Sequence, residues 1–331
     1  MKIAFAGTGY INKVHALAAK NSGADQAAVI NHKPASMLAF AQQFAIPRQY
    51  ETIEAMLKAG KLDALVVSTP NYLHAAQTIA ALNAGVNVMI EKPMAMDAVE
   101  AERMCEAAAK SGSKLMVAHC WRFDEEALWL KSHLAGIGRI IRTKGYGNHV
   151  QWGPSGWFTQ KQFAGGGAMA DVGVHAIDTT RFLIGDPQPN SVYAIIGAYY
   201  KDFDVDDTGV LVVNWDNGIT SYIESGWWQP HSDGQIASTQ LYAQDGFASL
   251  FPTRVEKLTA VRDRTELDDG GFIYPRKQQA TQSMYDSQMK YFLDCIEEDK
   301  TPVPGGAEGL INMKVIDAAY RSAKSGKVVE L

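Results

Sequence analysis

The sequence predicts an α/β protein with a doubly wound parallel sheet over residues 1–120 and an α+β domain with an open, largely antiparallel sheet over 121–331. Short apolar strands alternate with helical patterns in the first part, which is typical of parallel sheets. The second part has closely spaced strands and an Asp-Asn-Gly turn at 216–218, which indicates antiparallel pairing. All 7 tryptophans lie between Trp121 and Trp228, so the composition also changes near residue 120.

Composition narrows the classes of function. A chain of 331 residues with 47% hydrophobic content can bury more than one core. A formal net charge of -5 without basic runs argues against nucleic-acid or anionic-membrane partners. Cys105, Cys120 and Cys295 have no metal-binding spacing, so we expect reduced thiols. No segment has the pattern of a secretory signal or of a membrane span of ~20 apolar residues, so we expect a cytoplasmic protein.

The elements follow one another regularly along the first domain. Predicted strands cover 2–6, 27–30, 63–67, 86–90 and 114–118. A helical pattern of Val14, Leu17 and Ala18 follows the first strand, and further helices cover 51–59, 72–84 and 99–109. We expect Asn71 to cap the helix that follows it.

A glycine turn follows the first strand, at Gly7, Gly9, Tyr10 and Ile11. A strand, a glycine turn and a helix favour a bound pyrophosphate, because backbone amides and the helix dipole attract anions. A plain strand-to-helix turn remains the alternative, since Asn12 stands where this motif has a small residue.

The second strand ends at Asn31, His32 and Lys33, where an NAD site normally has an acid for the ribose hydroxyls. Because no carboxylate would repel it, a 2'-phosphate can bind to the nearby hydrogen-bond donors. The sequence therefore favours NADP over NAD. The alternative is a polar start of the next helix.

A later strand of the same sheet ends at Glu91, Lys92 and Pro93. Ligands of open α/β sheets bind at the carboxyl ends of strands, which makes Lys92 a catalytic candidate. A solvated lysine at a strand end is the alternative.

The second domain begins with a predicted helix at 125–135. Predicted strands cover 140–146, 192–200, 209–215, 219–225 and 240–243, a mobile aperiodic loop covers 262–279, and helices cover 284–298 and 307–323.

Three glycines at 165–167 precede Asp171 and His175. Glycines here predict close approach of the backbone to another group. Asp171 and His175 are spaced to share a helical face, where a carboxylate can orient an imidazole that accepts a proton. A satisfied polar pair in a capped helix is one alternative, and a metal site completed by His149 is another. We expect no metal.

Other side chains are candidates for substrate or partner contact. Trp152 and Trp157 can pack on a sugar ring or serve in sheet and lid packing, and Arg122 and His149 are further candidate substrate contacts. Trp227 and its neighbour Trp228 end a strand, and exposed aromatics there would suggest an oligomer surface.

The glycine turn, Glu91-Lys92-Pro93 and Gly-Gly-Gly-x-x-x-Asp-x-x-x-His together resemble the glucose-fructose oxidoreductase, inositol dehydrogenase and MocA family over nearly the whole chain. The resemblance implies an N-terminal Rossmann domain that holds a nicotinamide dinucleotide and a second domain that forms the substrate pocket. It implies catalytic roles for Lys92, Asp171 and His175, and a pyrophosphate turn at Gly7, Gly9, Tyr10 and Ile11. It places a cofactor wall at Ser68, Thr69, Pro70, Asn71 and His74, and brings Glu91 and Lys92 to the nicotinamide.

The expected activity is hydride transfer between NAD(P) and a hydroxyl or carbonyl carbon of a sugar, sugar derivative or cyclitol. His175 would accept the proton, Lys92 would stabilise the alkoxide, and Asp171 would orient His175; the first two roles could be exchanged. Rival interpretations are an NAD-dependent glycoside-cleaving enzyme that works by transient oxidation, and a non-catalytic dinucleotide sensor. We expect a homodimer or homotetramer.

Overall fold

The computed structural model describes residues 1–230, 237–259, 265–274 and 280–331. Contacts divide the chain into two compact units. The first holds Met1–Cys120 and Thr281–Met313, and the second holds Trp121–Ala280 and Lys314–Leu331. Residues 281–313, which the sequence-based division assigns to the second domain, therefore pack with the first unit.

The first unit contains a parallel sheet flanked by helices. Its strands are β1 (Lys2–Ala6), β2 (Asp25–Ile30), β3 (Arg48–Tyr50), β4 (Ala64–Val67), β5 (Asn87–Ile90) and β6 (Leu115–Val117). The helices between them are α1 (Tyr10–Asn21), α2 (Pro34–Phe44), α3 (Ile53–Lys58), α4 (His74–Asn83) and α5 (Ala98–Ser111). The strand order is β3-β2-β1-β4-β5-β6, which confirms the predicted doubly wound sheet. The order reverses between β1 and β4, where such sheets open a crevice at their carboxyl edge.

Apolar burial on both faces explains why these segments form inner strands. Residues 64–67 of β4 are all buried, as are Val88, Met89 and Ile90 of β5, which is the pattern of a strand covered by helices on both sides. The buried face of α1 carries Ala16 and Ala19.

The second unit is built on a mixed sheet. Its strands are β7 (Ile140–Val150), β8 (Pro189–Gly197), β9 (Thr208–Trp215), β10 (Thr220–Gln229), β11 (Ala237–Ala243), β12 (Gly246–Leu250), β13 (Arg254–Leu258), β14 (Thr265–Asp268) and β15 (Val329–Glu330). Its helices are α6 (Glu125–His133), α7 (Lys161–Ala164) and α8 (Val174–Leu183); α9 (Gln282–Glu297) belongs to the first unit, and α10 (Gly306–Ser325) contributes residues to both. The order is β14-β13-β12-β11-β7-β10-β9-β8-β15. The pair of β7 and β10 is parallel and the other described pairs are antiparallel, which confirms the largely antiparallel prediction.

Some local predictions were wrong. Within the predicted loop 262–279, residues 265–268 form β14 and pair with β13; residues 262–264 and 275–279 lie outside the described residues. This edge strand is exposed throughout, so it has no apolar pattern to reveal it. Asn71 starts a short 3-10 turn, Asn71–Leu73, and α4 begins at His74 without a side-chain cap.

Across the described ranges, no helix is both long and apolar enough to span a bilayer.

Candidate active site

Gly7 ends β1 in a conformation that requires glycine. Its φ is 96°, a left-handed value that side chains disfavour. A Cβ at this position would lie 2.8 Å from the carbonyl oxygen of Ser68. The Gly7 amide donates to the carbonyl of Ile30 at 3.0 Å. Gly7 therefore seats the turn against the ends of β2 and β4.

Gly9 differs from Gly7 because the space beside it is open. It precedes α1 with φ -69°, and a Cβ there would meet nothing within 4 Å. No described side chain caps the first turn of α1, and that turn has no acidic residue. Tyr10 is 82% exposed. Uncapped amides at a positive helix end suit an anion, so Gly9, Tyr10 and Ile11 fit the pyrophosphate of a dinucleotide.

Asn12, the departure from the glycine motif, is fully buried. Its Nδ2 donates to the carbonyls of Ala6 at 3.1 Å and Gly7 at 2.6 Å. The side chain therefore ties the first turn of α1 to the end of β1, so the larger residue reinforces the turn.

Asn31 closes a network of neutral polar groups after β2. Its Nδ2 donates to Thr8 Oγ1, and its Oδ1 accepts the amide of Lys33 at 3.1 Å. Thr8 Oγ1 also lies 2.7 Å from Ser36 Oγ. The side chains of His32 and Lys33 are exposed at the start of α2. The described part of this strand end thus offers hydroxyls, amides, an imidazole and the Lys33 ammonium.

The predicted cofactor wall follows β4. Ser68, Thr69 and Pro70 are half-buried, whereas Asn71 and His74 are buried. The two ring nitrogens of His74 lie 2.8 Å from the Thr69 carbonyl oxygen and 2.9 Å from that of Pro93. Burial lowers the pKa of His74 and outweighs these carbonyls, which raise it. His74 therefore links the two loops by contacts to their main chains.

Lys92 leaves β5 next to a buried carboxylate. Its main-chain N–H donates to Glu91 Oε2 at 3.1 Å, and Glu91 Oε1 lies 2.7 Å from His15 Nε2. Burial raises the pKa of Glu91, but the His15 hydrogen bond and the charges of His15 and Lys92 bring it below its ordinary value. Glu91 is therefore an anion beside the candidate catalytic amine.

Two further side chains complete the surroundings of His15. The His15 and Tyr285 rings meet edge to face at 5.7 Å, and the Tyr285 hydroxyl hydrogen-bonds with the Cys120 thiol. Burial raises the pKa of Cys120 to about 12. The sequence-based interpretation missed His15 and Tyr285. A signal existed for His15: it shares with Asn12 a helical face that is otherwise alanine, and buried polar groups need partners.

The triple glycine of the second unit is packed against protein. Gly165 has φ 80°, and a Cβ on Gly166 or Gly167 would overlap the Tyr320 hydroxyl or the Asp206 main chain, respectively. The buried Asp206 carboxylate accepts the amides of Gly167 at 2.8 Å and Met169 at 2.7 Å, and the Tyr320 hydroxyl at 2.7 Å. The close approach that glycine predicted is therefore to Asp206 and Tyr320.

Asp171 and His175 follow this loop. Asp171 lies in a π-helical turn, Met169–Gly173, and His175 lies in the first turn of α8. The wider turn departs from the α-helical spacing on which their predicted pairing depends, and that pairing stays a prediction. The Asp171 carboxylate accepts a hydrogen bond from Trp227 Nε1 at 3.1 Å. His175 lines a pocket with Trp121, Tyr146, Thr239 and Phe251.

Arg122 is corrected from a substrate contact to a structural residue. It is 4% exposed. Its Nε and Nη2 each donate to Asp178 at 2.8 Å, and Nη1 and Nη2 donate to Asp186 at 3.0 and 2.6 Å. The guanidinium of Arg122 is therefore bound by two carboxylates. Burial lowers its pKa, but the two carboxylates raise it above the ordinary value.

The predicted aromatic contacts form two stacked pairs. The ring centroids of His149 and Trp152 lie 3.6 Å apart, and those of Trp157 and Phe158 lie 3.8 Å apart. Trp152 is 49% exposed.

The interpretation of Trp227 and Trp228 as exposed was wrong. Trp227 is fully buried, and Trp228 packs against the core around Val172. In the part of the chain that the structure describes, no group of three or more His, Cys, Asp or Glu side chains could hold a metal ion.

Residues 1–119 match the family model for the oxidoreductase family with an NAD-binding Rossmann fold, and residues 135–248 match the GFO/IDH/MocA C-terminal domain. The chain belongs to the Gfo/Idh/MocA oxidoreductase family.

Curated relatives cover almost the whole length of this family member. It is 26% identical to D-glucoside 3-dehydrogenase of Escherichia coli (strain K12), covering 100% of this chain and 97% of that protein. It is 29% identical to D-xylose 1-dehydrogenase (NADP(+)) 2 of Haloferax volcanii, covering 93% and 92%. The solved structure of levoglucosan dehydrogenase in complex with NADH has a TM-score of 0.88 at 22% identity, covering 100% of this chain and 98% of that one, and so shares the fold.

Proposed function

We propose that this Gfo/Idh/MocA oxidoreductase is an NAD(P)-dependent dehydrogenase that acts on a hydroxyl-bearing carbon of a sugar, sugar derivative or cyclitol. The observation that carries the proposal is Lys92 at the carboxyl edge of the parallel sheet, beside the buried Glu91 anion. The names of the Escherichia coli and Haloferax volcanii relatives support a sugar substrate.

The residues supply the proton and charge chemistry of this reaction. A nicotinamide dinucleotide bound at Gly9, Tyr10 and Ile11 would accept or donate the hydride. His175 accepts the hydroxyl proton, because an imidazole titrates near neutral pH. Lys92 stabilises the developing alkoxide through its charge. Exchange of these two roles remains the alternative, which would need a deprotonated Lys92.

Asp171 is proposed to orient the His175 imidazole. Trp227 is fully buried and donates to one Asp171 oxygen, which fixes the carboxylate that we propose orients His175. A carboxylate at that place selects one tautomer of the imidazole and balances the charge it gains.

We further propose that NADP is the preferred cofactor. Asn31, Thr8 and Ser36 form a neutral network, and the His32 imidazole and the Lys33 ammonium are exposed beside it, a set that accommodates a 2'-phosphate. The ratio of kcat/KM for NADP to that for NAD tests this preference. We expect a ratio above 1 that falls in Lys33→Glu, with Lys20→Glu as the matched control on α1. A clear NAD preference in the native protein would contradict it.

The stacked pairs His149–Trp152 and Trp157–Phe158 are the proposed sugar-contacting surface, because aromatic rings pack on the apolar faces of sugars. Trp152→Ala should raise KM for the sugar more than it lowers kcat. An unchanged KM would remove Trp152 from the substrate contacts.

The open face of the second sheet supports a homodimer or homotetramer. α8 packs on the face of the second sheet that carries Gly145. On strands of this sheet, the side chain of Tyr222 is 37% exposed and that of Ile195 is 54% exposed. Light scattering should show a dimer or tetramer that Ile195→Glu weakens. A native monomer at micromolar concentration would contradict the proposal.

A screen of sugars, glycosides and polyols with NAD and NADP tests the activity itself, read by nicotinamide fluorescence. Sugar-dependent formation of reduced nicotinamide supports the dehydrogenase. Release of an aglycone without net reduction would instead identify the glycoside-cleaving alternative, and cofactor binding with neither reaction would identify the sensor.

A further inference from the structure

A buried acid–imidazole pair lies directly behind the main chain of Lys92. His15 is 0% exposed, Glu91 is 7% exposed, and His15 Nε2 lies 2.7 Å from Glu91 Oε1. The other carboxylate oxygen, Oε2, accepts the Lys92 main-chain N–H at 3.1 Å. One carboxylate therefore joins the middle of α1 to the residue proposed to hold the substrate oxygen.

The proton of this contact is assigned by its partner. A carboxylate only accepts hydrogen bonds, so Nε2 of His15 is the donor. His15 Nδ1 is buried and has no hydrogen-bond partner among the described residues. The Tyr285 ring, edge to face with His15 at 5.7 Å, limits rotation of the imidazole.

We propose that His15 is a positioning residue for the reaction: by donating to Glu91 it keeps that carboxylate ionised and fixed, and Glu91 in turn holds Lys92 in place. The inference rests on the proposed dehydrogenase function. It adds a residue from the middle of α1 to the proposed site, beyond the glycine turn at the start of that helix.

Several titratable groups face Glu91 from the packed elements. They are His15 on α1, His74 on α4, Cys120 after β6, Tyr285 on α9 and the adjoining Lys92. The thiol and the phenol have raised pKa values and stay neutral. The His15 side chain hydrogen-bonds Glu91 Oε1, and the Lys92 main-chain N–H hydrogen-bonds Oε2. Without His15, burial would act on a carboxylate that lacks the first of these hydrogen bonds and would raise the pKa of Glu91.

Two substitutions at one position separate positioning from packing. His15→Gln keeps an N–H donor, and His15→Phe keeps a ring without one. In His15→Phe we expect the acid limb of the kcat profile to move up by about one pH unit or more, which is about a tenfold loss of rate on that limb. In His15→Gln the limb should stay within a few tenths of a unit. If His15→Phe does not fold, His15→Leu replaces it, and His133→Phe in the second unit is the control.

A titration independent of activity distinguishes this inference from the proposed function. Carbon-13 NMR of glutamate carboxyls, with the Glu91 signal assigned by Glu91→Gln, should show a higher Glu91 pKa in His15→Phe than in the native protein and in His15→Gln. An unchanged Glu91 titration in His15→Phe, or the same rise in His15→Gln, would overturn the inference. If the native protein reduces no nicotinamide with any sugar, the proposed function fails, and the NMR result still decides the role of His15 toward Glu91.

Discussion

The two glycine motifs of this protein use the same residue for opposite purposes. A Cβ on Gly9 would meet no atom within 4 Å, whereas a Cβ on Gly167 would overlap the main chain of Asp206. Gly9 leaves the amides of α1 accessible to a ligand. Gly167 leaves room for the main chain of Asp206 to pack against it. A glycine motif therefore indicates a close approach, and the surrounding structure shows whether the approaching group is a ligand or the protein.

The largest effect is expected where the protein itself fills the space. Gly167→Ala should lower the free energy of unfolding by about 3 kcal/mol or more, because overpacking against backbone is poorly relieved. Denaturant unfolding measures this change. Gly9→Ala, on the N-cap of α1, is the matched control and should cost no more than about 1 kcal/mol. Equal stability losses in the two variants would remove the distinction between the motifs.

The ligand-facing glycine should show the complementary effect. Gly9→Ala should weaken dinucleotide binding by about tenfold, equivalent to about 1.4 kcal/mol, because its methyl group stands where the pyrophosphate would approach the amides. Fluorescence titration with reduced nicotinamide cofactor checks this expectation. Unchanged affinity in a folded variant would count against the site at the start of α1.

A double-mutant cycle sharpens the structural side of the comparison. Gly166→Ala places a methyl group against the Tyr320 hydroxyl, and Tyr320→Phe removes that hydroxyl. We expect Tyr320→Phe alone to cost about 0.5–1.5 kcal/mol, from loss of the hydrogen bond to Asp206. The double variant should be more stable than the sum of the single losses predicts. Simple additivity would show that the two groups do not compete for the same space.

The smallest effect concerns the pH dependence of stability in the first unit. The pKa of Glu91 lies below its ordinary value of 4.5, so its contribution is present above pH 4.5 and is lost as pH falls through the folded-state pKa. The unfolding free energy of the native protein should therefore fall in acid relative to Glu91→Gln, with a slope of at most about 1.4 kcal/mol per pH unit. Parallel curves for the two proteins would be inconsistent with an ionised Glu91.

Sequence patterns predicted most of the parallel sheet because most of its strands and helices are encoded locally, whereas β3 and α2 were not predicted. β4 and β5, for instance, are short continuous apolar runs followed by polar strand ends. The edge strand β14 escaped prediction because all of its residues are exposed, and pairing with β13 depends on the sheet already present.

Motifs likewise predicted Lys92, Asp171 and His175 as candidates but not the groups that hold them. Glu91 is held by His15, which is 76 positions away in the sequence. The glycine-led loop is held by Asp206, and Asp171 by Trp227. Such partners meet only in the folded chain, and for the same reason Arg122 looked available in the sequence although two aspartates bind it.

The central claim is that Lys92 and His175 perform the proton and charge chemistry of a nicotinamide-dependent dehydrogenase. Its most direct test is the turnover of Lys92→Ala and His175→Ala with the best sugar found in the screen, alongside their cofactor affinity. We predict that each substitution lowers kcat by about 100-fold or more while the dissociation constant of the cofactor changes little. Near-native turnover in both variants would contradict the account.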